Sequence, residues 1–172
     1  MIPTLETKRL ILRPLGIDDA QAAFEWTGDE RVAHYMIYPT HTDIGVTKAW
    51  LESLSDKDEK DFNWGFVRRA DGVLIGAGNI RFRYDENRWS FGYNIRFDCW
   101  NQGYTTEAAL RMMDFVRQTY GAKRFVAECA AENIGSAKVI EKCGLCFDGY
   151  CEYSKSDGSV TFKAKRFVLN EE

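Results

Sequence analysis

The sequence predicts an α/β domain of the α+β kind, with one mixed sheet of about six or seven strands and helices packed against it. Three observations carry that expectation. Residues 89–97 alternate Trp89, Phe91, Tyr93, Ile95 and Phe97 with Ser90, Gly92, Asn94 and Arg96, the period of two and single aromatic face of a half-buried strand. After a polar turn, Ala109, Met112, Met113, Val116 and Tyr120 recur at spacings of three and four, and Gly121 follows. This is the pattern of an amphipathic helix that starts near Thr105 and stops at a glycine. At 172 residues with 45% apolar content, the chain fits one domain over residues 1–172, with a core of ordinary size.

The remaining elements follow in order. Leu10 and Leu12 alternate with Ile11 between Arg9 and Arg13, and Pro14 closes this first strand. Asp18 or Asp19 caps a helix of two turns with Ala20, Ala23 and Phe24 inward and Gly28 as its stop. Residues 29–38 mix charge with His34, Tyr35, Met36 and Tyr38 before Pro39, as either a short helix or a loop. Thr42 or Asp43 caps a helix through about Leu54, with Val46, Trp50, Leu51 and Leu54 on one face. The charge run over 55–61 reads as a solvated loop.

Strands at 62–69 and 73–82 flank an Asp71-Gly72 turn, and a further strand spans 123–130. Asn133 caps a helix that ends at Gly144, and 146–153 and 160–169 form a hairpin through 155–159. The order is β-α-α-β-β-β-α-β-α-β-β, which gives a mixed sheet with flanking helices.

Composition narrows the function. A formal charge of −3 and a pI near 5.5 argue against wholesale binding to nucleic acid or to an acidic membrane, and favour a cationic partner. No run has the length of a membrane span, and residues 1–6 lack the basic and apolar regions of a signal peptide, so a cytoplasmic protein is expected. Cys99, Cys129, Cys143, Cys146 and Cys151 form an odd set that reads as reduced thiols. Cys143 and Cys146 are spaced as a redox pair but lie at a helix end, where the dipole does not lower a thiol pKa. They have no companion pair, and His34 and His41 are distant in sequence, so no metal site is expected. Gly76 and Gly78 lack the third glycine and the following helix of a dinucleotide fingerprint.

The turn Trp100-Asn101-Gln102-Gly103-Tyr104-Thr105-Thr106-Glu107 bears on chemistry. A glycine in a turn that opens a helix lets backbone approach a ligand, and the first amides are unpaired donors at the positive end of the dipole, which suits an anion such as pyrophosphate. The plainer alternative is a strand-to-helix turn capped by Thr105 or Thr106, with Glu107 favouring the first turn.

A second stretch, Asn133-Ile134-Gly135-Ser136-Ala137-Lys138-Val139-Ile140-Glu141-Lys142-Cys143-Gly144-Leu145, decides between them. Together the two stretches resemble the GNAT superfamily of N-acetyltransferases, in the branch that includes RimJ and RimL. The W-x-x-G-Y-x-T-E-A run, the N-x-x-S-x-x-V-x-E-K-x-G run and the opening from Glu6 to Pro14 are each similar to that branch. Only the central glycine of the family's pyrophosphate pattern is kept, and Leu145 replaces an aromatic residue.

The resemblance implies a GNAT-type, mostly antiparallel sheet and direct transfer of an acetyl group from acetyl-CoA, as co-substrate, to a primary amine of a protein N-terminus or a small molecule. It implies that the strand before the turn bulges and splays, with Asn94, Ile95 and Arg96 on the cofactor arm. Gln102, Gly103, Tyr104, Thr105 and Thr106 surround the pyrophosphate, and Asn133, Ser136, Lys138 and Lys142 line the cofactor from the later helix. The family tyrosine seven positions after the asparagine is Ile140 here, which makes Ser136 the partner of the departing thiolate. The position nearest the family glutamate is Ser90, so Glu128 is the substitute base, with Asp98, Glu132 and His34 as others. His34, Tyr35 and Tyr38 are candidate acceptor contacts, or else packing residues under a loop. Pairing of two copies through the last strands fits the same resemblance. A non-catalytic acyl-CoA-binding module is the rival reading, and a thiol redox protein built on Cys143 and Cys146 is a third.

Overall fold

Eight strands form one sheet in the computed structural model, which describes residues 2–54 and 58–172. The chain runs through β1 (Leu5–Glu6), β2 (Leu10–Arg13), α1 (Ala20–Thr27), α2 (Glu30–Ala33), α3 (Ile44–Ser53), β3 (Asp61–Arg68), β4 (Leu74–Arg83) and β5 (Arg88–Ile95). It continues through α4 (Tyr104–Tyr120), β6 (Arg124–Ala130), α5 (Ile134–Lys142), β7 (Cys146–Ser154) and β8 (Thr161–Asn170). In space the strands lie in the order β1-β2-β3-β4-β5-β6-β8-β7.

Neighbouring strands are antiparallel throughout except β5 and β6. These two are joined by the α4 crossover, which imposes a parallel pair. They pair only at Trp89↔Phe125 and Ser90↔Val126. Beyond Ser90, β5 stays with β4 as far as Gly76↔Ile95, while β6 stays with β8 as far as Ala130↔Ala164. The sheet therefore divides into two halves that part company between the C-terminal ends of β5 and β6. The expected splay is present, but the bulge implied for β5 is not: its ladder with β4 has no register shift, and the shifts lie at Phe66/Val67 and Phe147/Gly149.

Side-chain alternation assigns the faces. Trp89, Phe91 and Ile95 of β5 pack with Phe62, Trp64, Met112, Met113 and Val116 in the main core, beneath α4. On the opposite face, Ala23, Trp26 and Val32 close over Leu74 and Ala77 in a smaller core. The helix α4 lies close to β4 because residue 78 is glycine: a Cβ there would stand 2.5 Å from Cζ of Phe66 and 3.1 Å from Cε of Met112.

Several local expectations change. Two residues of β1 are too short for periodicity to reveal, and they add the eighth strand. Asp19 makes no side-chain cap on α1; its carboxylate pairs with Arg13 at 2.7 Å and accepts from the Gly16 amide at 2.9 Å. Asp43 caps α3 as expected, through the amides of Gly45 and Val46, but the buried face of that helix centres on Thr47 and Leu51 while Val46 is exposed. The Thr47 hydroxyl bridges Oγ1 of Thr27 at 2.9 Å and Nδ1 of His41 at 2.8 Å, so a polar residue holds α3 to α1. Of the charge run, 55–57 lie outside the described residues, and Asp61 already belongs to β3.

Gly78→Ala is expected to cost ~1–3 kcal/mol, because the added methyl forces apart well-packed groups. Urea unfolding reads this as a lower midpoint at unchanged slope. An unaltered midpoint would show that α4 does not press on β4.

Candidate active site

The gap between β5 and β6 is the floor of a cleft of about 590 Å³. Tyr93, Asn94 and Ile95 enter it from β5, Trp100, Asn101 and Gly103 from the following turn, and Thr105 and Thr106 from the start of α4. Asn133, Gly135, Ser136, Lys138, Val139 and Lys142 line it from α5 and its approach, and Arg31, Val32, Tyr35 and Met36 from α2 and the loop after it.

Successive residues of β5 point to opposite faces of the sheet, and the cleft uses both. Oη of Tyr93 lies 2.9 Å from Oγ of Ser136 on α5 and donates to the Ser136 carbonyl at 3.2 Å. Asn94 turns the other way, where its Nδ2 donates to Oη of Tyr38 at 3.2 Å. The cleft thus crosses the plane of the sheet, with α4 and α5 at one mouth and the segment after α2 at the other.

At the first mouth, Asn101 (φ 59°) and Gly103 (φ 80°) take left-handed conformations that fold the chain back into α4. Gly103 itself is the N-cap, with no side-chain cap, so neither Thr105 nor Thr106 takes the capping place that the plainer alternative gave it. The first helical bond runs from the Glu107 amide to the Gly103 carbonyl at 3.1 Å, so the amides before it stand outside the helical ladder. Thr105 and Thr106 are left free of capping and line the cleft.

Across from this turn, Oδ1 of Asn133 accepts from the Ser136 amide at 3.1 Å and starts α5. The cap fixes Ser136, and Tyr93 fixes its hydroxyl. Burial raises the pKa of the Tyr93 phenol, against the lowering effect of the Ser136 hydroxyl, so the phenol stays neutral. Burial likewise pushes the neighbouring Cys129 thiol up to about 11. Ile140, the position of the family tyrosine, is buried in the core.

Other residues singled out from the sequence stand back from the cleft. Arg96 forks onto Asp98 at 2.9 and 3.0 Å. Gln102 spends its side-chain amide on the Asp98 carbonyl at 2.8 Å, and Tyr104 lies under the Arg9 guanidinium at 4.4 Å. Oε1 of Glu128 sits 3.2 Å from both Arg83 and Arg166. His34 packs edge-on against Tyr35 with ring centres 4.5 Å apart and faces Phe162 at 6.4 Å, behind the wall that Tyr35 forms. Cys143 is buried with its thiol pushed up to about 12, and Cys146 is exposed, so the two do not form a low-pKa redox pair.

Sequence reasoning missed Tyr93, Met36 and Arg31, whereas Tyr38 was among the aromatic candidates of 29–38. Tyr93 was legible only as one aromatic of a strand face, and nothing local distinguishes it from Phe91. Among the described residues, those lining the cleft include three cations (Arg31, Lys138, Lys142) and no Asp, Glu or His. Arg31 is already forked onto Asp29 at 2.6 and 2.9 Å, which leaves Lys138 and Lys142 beside the unpaired helix amides; that combination suits a polyanion, and the passage between the strands suits an uncharged arm attached to it.

A family model described as an acetyltransferase (GNAT) domain matches residues 9–145. YnaD, an uncharacterised N-acetyltransferase of Bacillus subtilis, is 26% identical over 168 residues, which span 98% of this chain and 97% of that protein. Among solved structures, a GNAT-family acetyltransferase from Bacillus anthracis gives a TM-score of 0.85 at 22% identity over 98% of each chain. RimL, a ribosomal L7/L12 α-N-protein acetyltransferase solved with coenzyme A, gives 0.83 at 13% identity over 98% of each chain. Another similar structure, of the acetyltransferase MccE, holds acetyl-CoA, the donor that the family uses. No helix among the described residues is long and apolar enough to cross a membrane. The matched segment takes in every element from β2 to α5, and the chain belongs to the GNAT acetyltransferase family.

Proposed function

We propose that the chain transfers an acetyl group from acetyl-CoA directly to a primary amine, and that its preferred acceptors are α-amines such as a peptide N-terminus. The observation that carries this is the passage across the sheet between β5 and β6, with unpaired helix amides and two lysines at one mouth and Tyr35 and Met36 at the other. The coenzyme supplies the activated acetyl group; the remaining work falls to groups of this chain.

At the α4 mouth, the turn at Gly103 offers backbone amides to the pyrophosphate, with Thr105 and Thr106 beside it and Lys138 and Lys142 adding positive potential. The main chain at Asn94 and Ile95 flanks the pantetheine arm where β5 has left β6. Ser136 stands beside the departing thiolate, and its hydroxyl donates a hydrogen bond there when the Tyr93 phenol turns its own proton from the Ser136 carbonyl to Oγ. At the other mouth, Tyr35 and Met36 form the acceptor wall, with His34 behind it.

The acceptor must arrive as a free amine, and solvent is the base in this reading. Glu128 takes no part, because it is committed to Arg83 and Arg166. At pH 7 an α-amine of ordinary pKa near 8 is about one-tenth neutral, whereas a lysine amine near 10.4 is neutral in fewer than about one molecule in a thousand. The RimL structure, named an α-N-protein acetyltransferase, belongs to a protein with the same class of acceptor.

Thioester consumption with a free-N-terminal peptide, against the same peptide N-blocked but bearing lysine, tests the acceptor class. The free N-terminus is expected to be preferred, with kcat/KM rising from pH 6 and levelling near the acceptor's own pKa; preference for lysine would overturn it. Ser136→Ala is expected to lower kcat roughly 10²-fold, and Tyr93→Phe less, with acetyl-CoA affinity in both close to that of the parent. Unchanged turnover in both would remove Ser136 from the chemistry.

A further inference from the structure

We infer that Arg9 and Glu107 form a clasp that positions the turn at Gly103, and through it the amides that receive the pyrophosphate of acetyl-CoA. The inference rests on the reading of the cofactor mouth above. Neither side chain lines the cleft, so both act through the backbone they hold.

Glu107 lies in the first turn of α4 and Arg9 immediately before β2, 98 residues apart in sequence. Oε1 of Glu107 accepts from the Thr7 hydroxyl at 2.5 Å and the Arg9 amide at 2.8 Å, and Oε2 accepts from Nε of Arg9 at 2.7 Å. The same guanidinium reaches past Gly103. Its Nη1 donates to the Gln102 carbonyl at 2.8 Å, its centre lies 4.4 Å over the Tyr104 ring, and its Nη2 would stand 3.3 Å from a Cβ on Gly103. One planar cation therefore fixes the residues before and after the left-handed glycine, using a fork that lysine lacks.

The clasp also settles an electrostatic conflict. A carboxylate in the first turn suits the helix dipole, but it repels an anion bound at the same end. Burial opposes ionisation of Glu107, yet hydrogen bonds from Thr7 and from the Arg9 backbone and side chain hold its pKa below the ordinary value, so the charge is present at neutral pH. Arg9 offsets that charge where the phosphates would meet it. Glu107 then anchors the turn mechanically without repelling the ligand.

The test compares acetyl-CoA with S-acetylpantetheine, a donor lacking the pyrophosphate, through kcat/KM with an α-amine peptide, and through calorimetry for acetyl-CoA. Arg9→Ala is expected to weaken acetyl-CoA about tenfold (~1.4 kcal/mol) and to leave S-acetylpantetheine unchanged. Arg9→Lys should restore only part of the loss, since it returns charge without the fork. Adding Glu107→Gln to Arg9→Ala should recover part of the affinity by removing the uncompensated carboxylate. Equal losses for both donors, or no loss in Arg9→Ala, would overturn the clasp while leaving the cofactor site standing. Failure of the parent protein to bind acetyl-CoA would overturn both.

Discussion

The structure depends on one interrupted ladder. The pair β5–β6 is the single parallel contact in an otherwise antiparallel sheet among the described residues, and it stops after Ser90↔Val126. Each strand has a full antiparallel partner on its outer side, which pairs the backbone groups facing that side and leaves those facing the gap outside the ladder. What the interruption leaves is a passage through the sheet, edged by the main chain of β5 and reached from both faces. A continuous sheet of the same strands would separate Ser136 from the wall at Tyr35.

The two helices beside the passage are placed by different devices that converge on it. The N-terminus of α4 is shaped by left-handed backbone at Asn101 and Gly103, and α5 begins where Asn133 caps it. Tyr93 then links β5 to α5 through Ser136, so the strand that opens the gap also orients the hydroxyl beside it. The charge distribution is local. The chain as a whole is acidic, at −3, yet the cleft lining is cationic, so the net charge that favoured a cationic partner describes the outer surface rather than the site. An anionic donor fits that lining.

Much of the fold was legible because it is periodic. The aromatic alternation of β5, the apolar stripe of α4 and the glycine stop at Gly121 appear in the structure nearly where the pattern placed them. The short β1 was not legible, since two residues carry no period. On α3 the pattern placed Trp50 and Leu51 correctly but took Val46 as inward, where Thr47 is buried through hydrogen bonds that no apolar pattern encodes. The same limit governs the site. Gly103, Asn133 and Ser136 stand in local motifs, whereas Tyr93, Arg31 and the clasp at Arg9 acquire meaning from partners 43 or more residues away or on another element. Resemblance to a family pointed to the cofactor arm but also to a bulge that the β4–β5 ladder does not contain.

Calorimetry with acetyl-CoA, on the parent protein and on Gly103→Trp, tests the central claim that the turn into α4 receives the donor's pyrophosphate. Gly103 holds φ at 80°, a conformation that tryptophan adopts only with strain, and its bulk would stand in the approach of any phosphate. With circular dichroism showing both proteins folded, the account predicts saturable one-to-one binding by the parent and its loss in the variant. Undiminished binding by Gly103→Trp, or none by the parent, would contradict it.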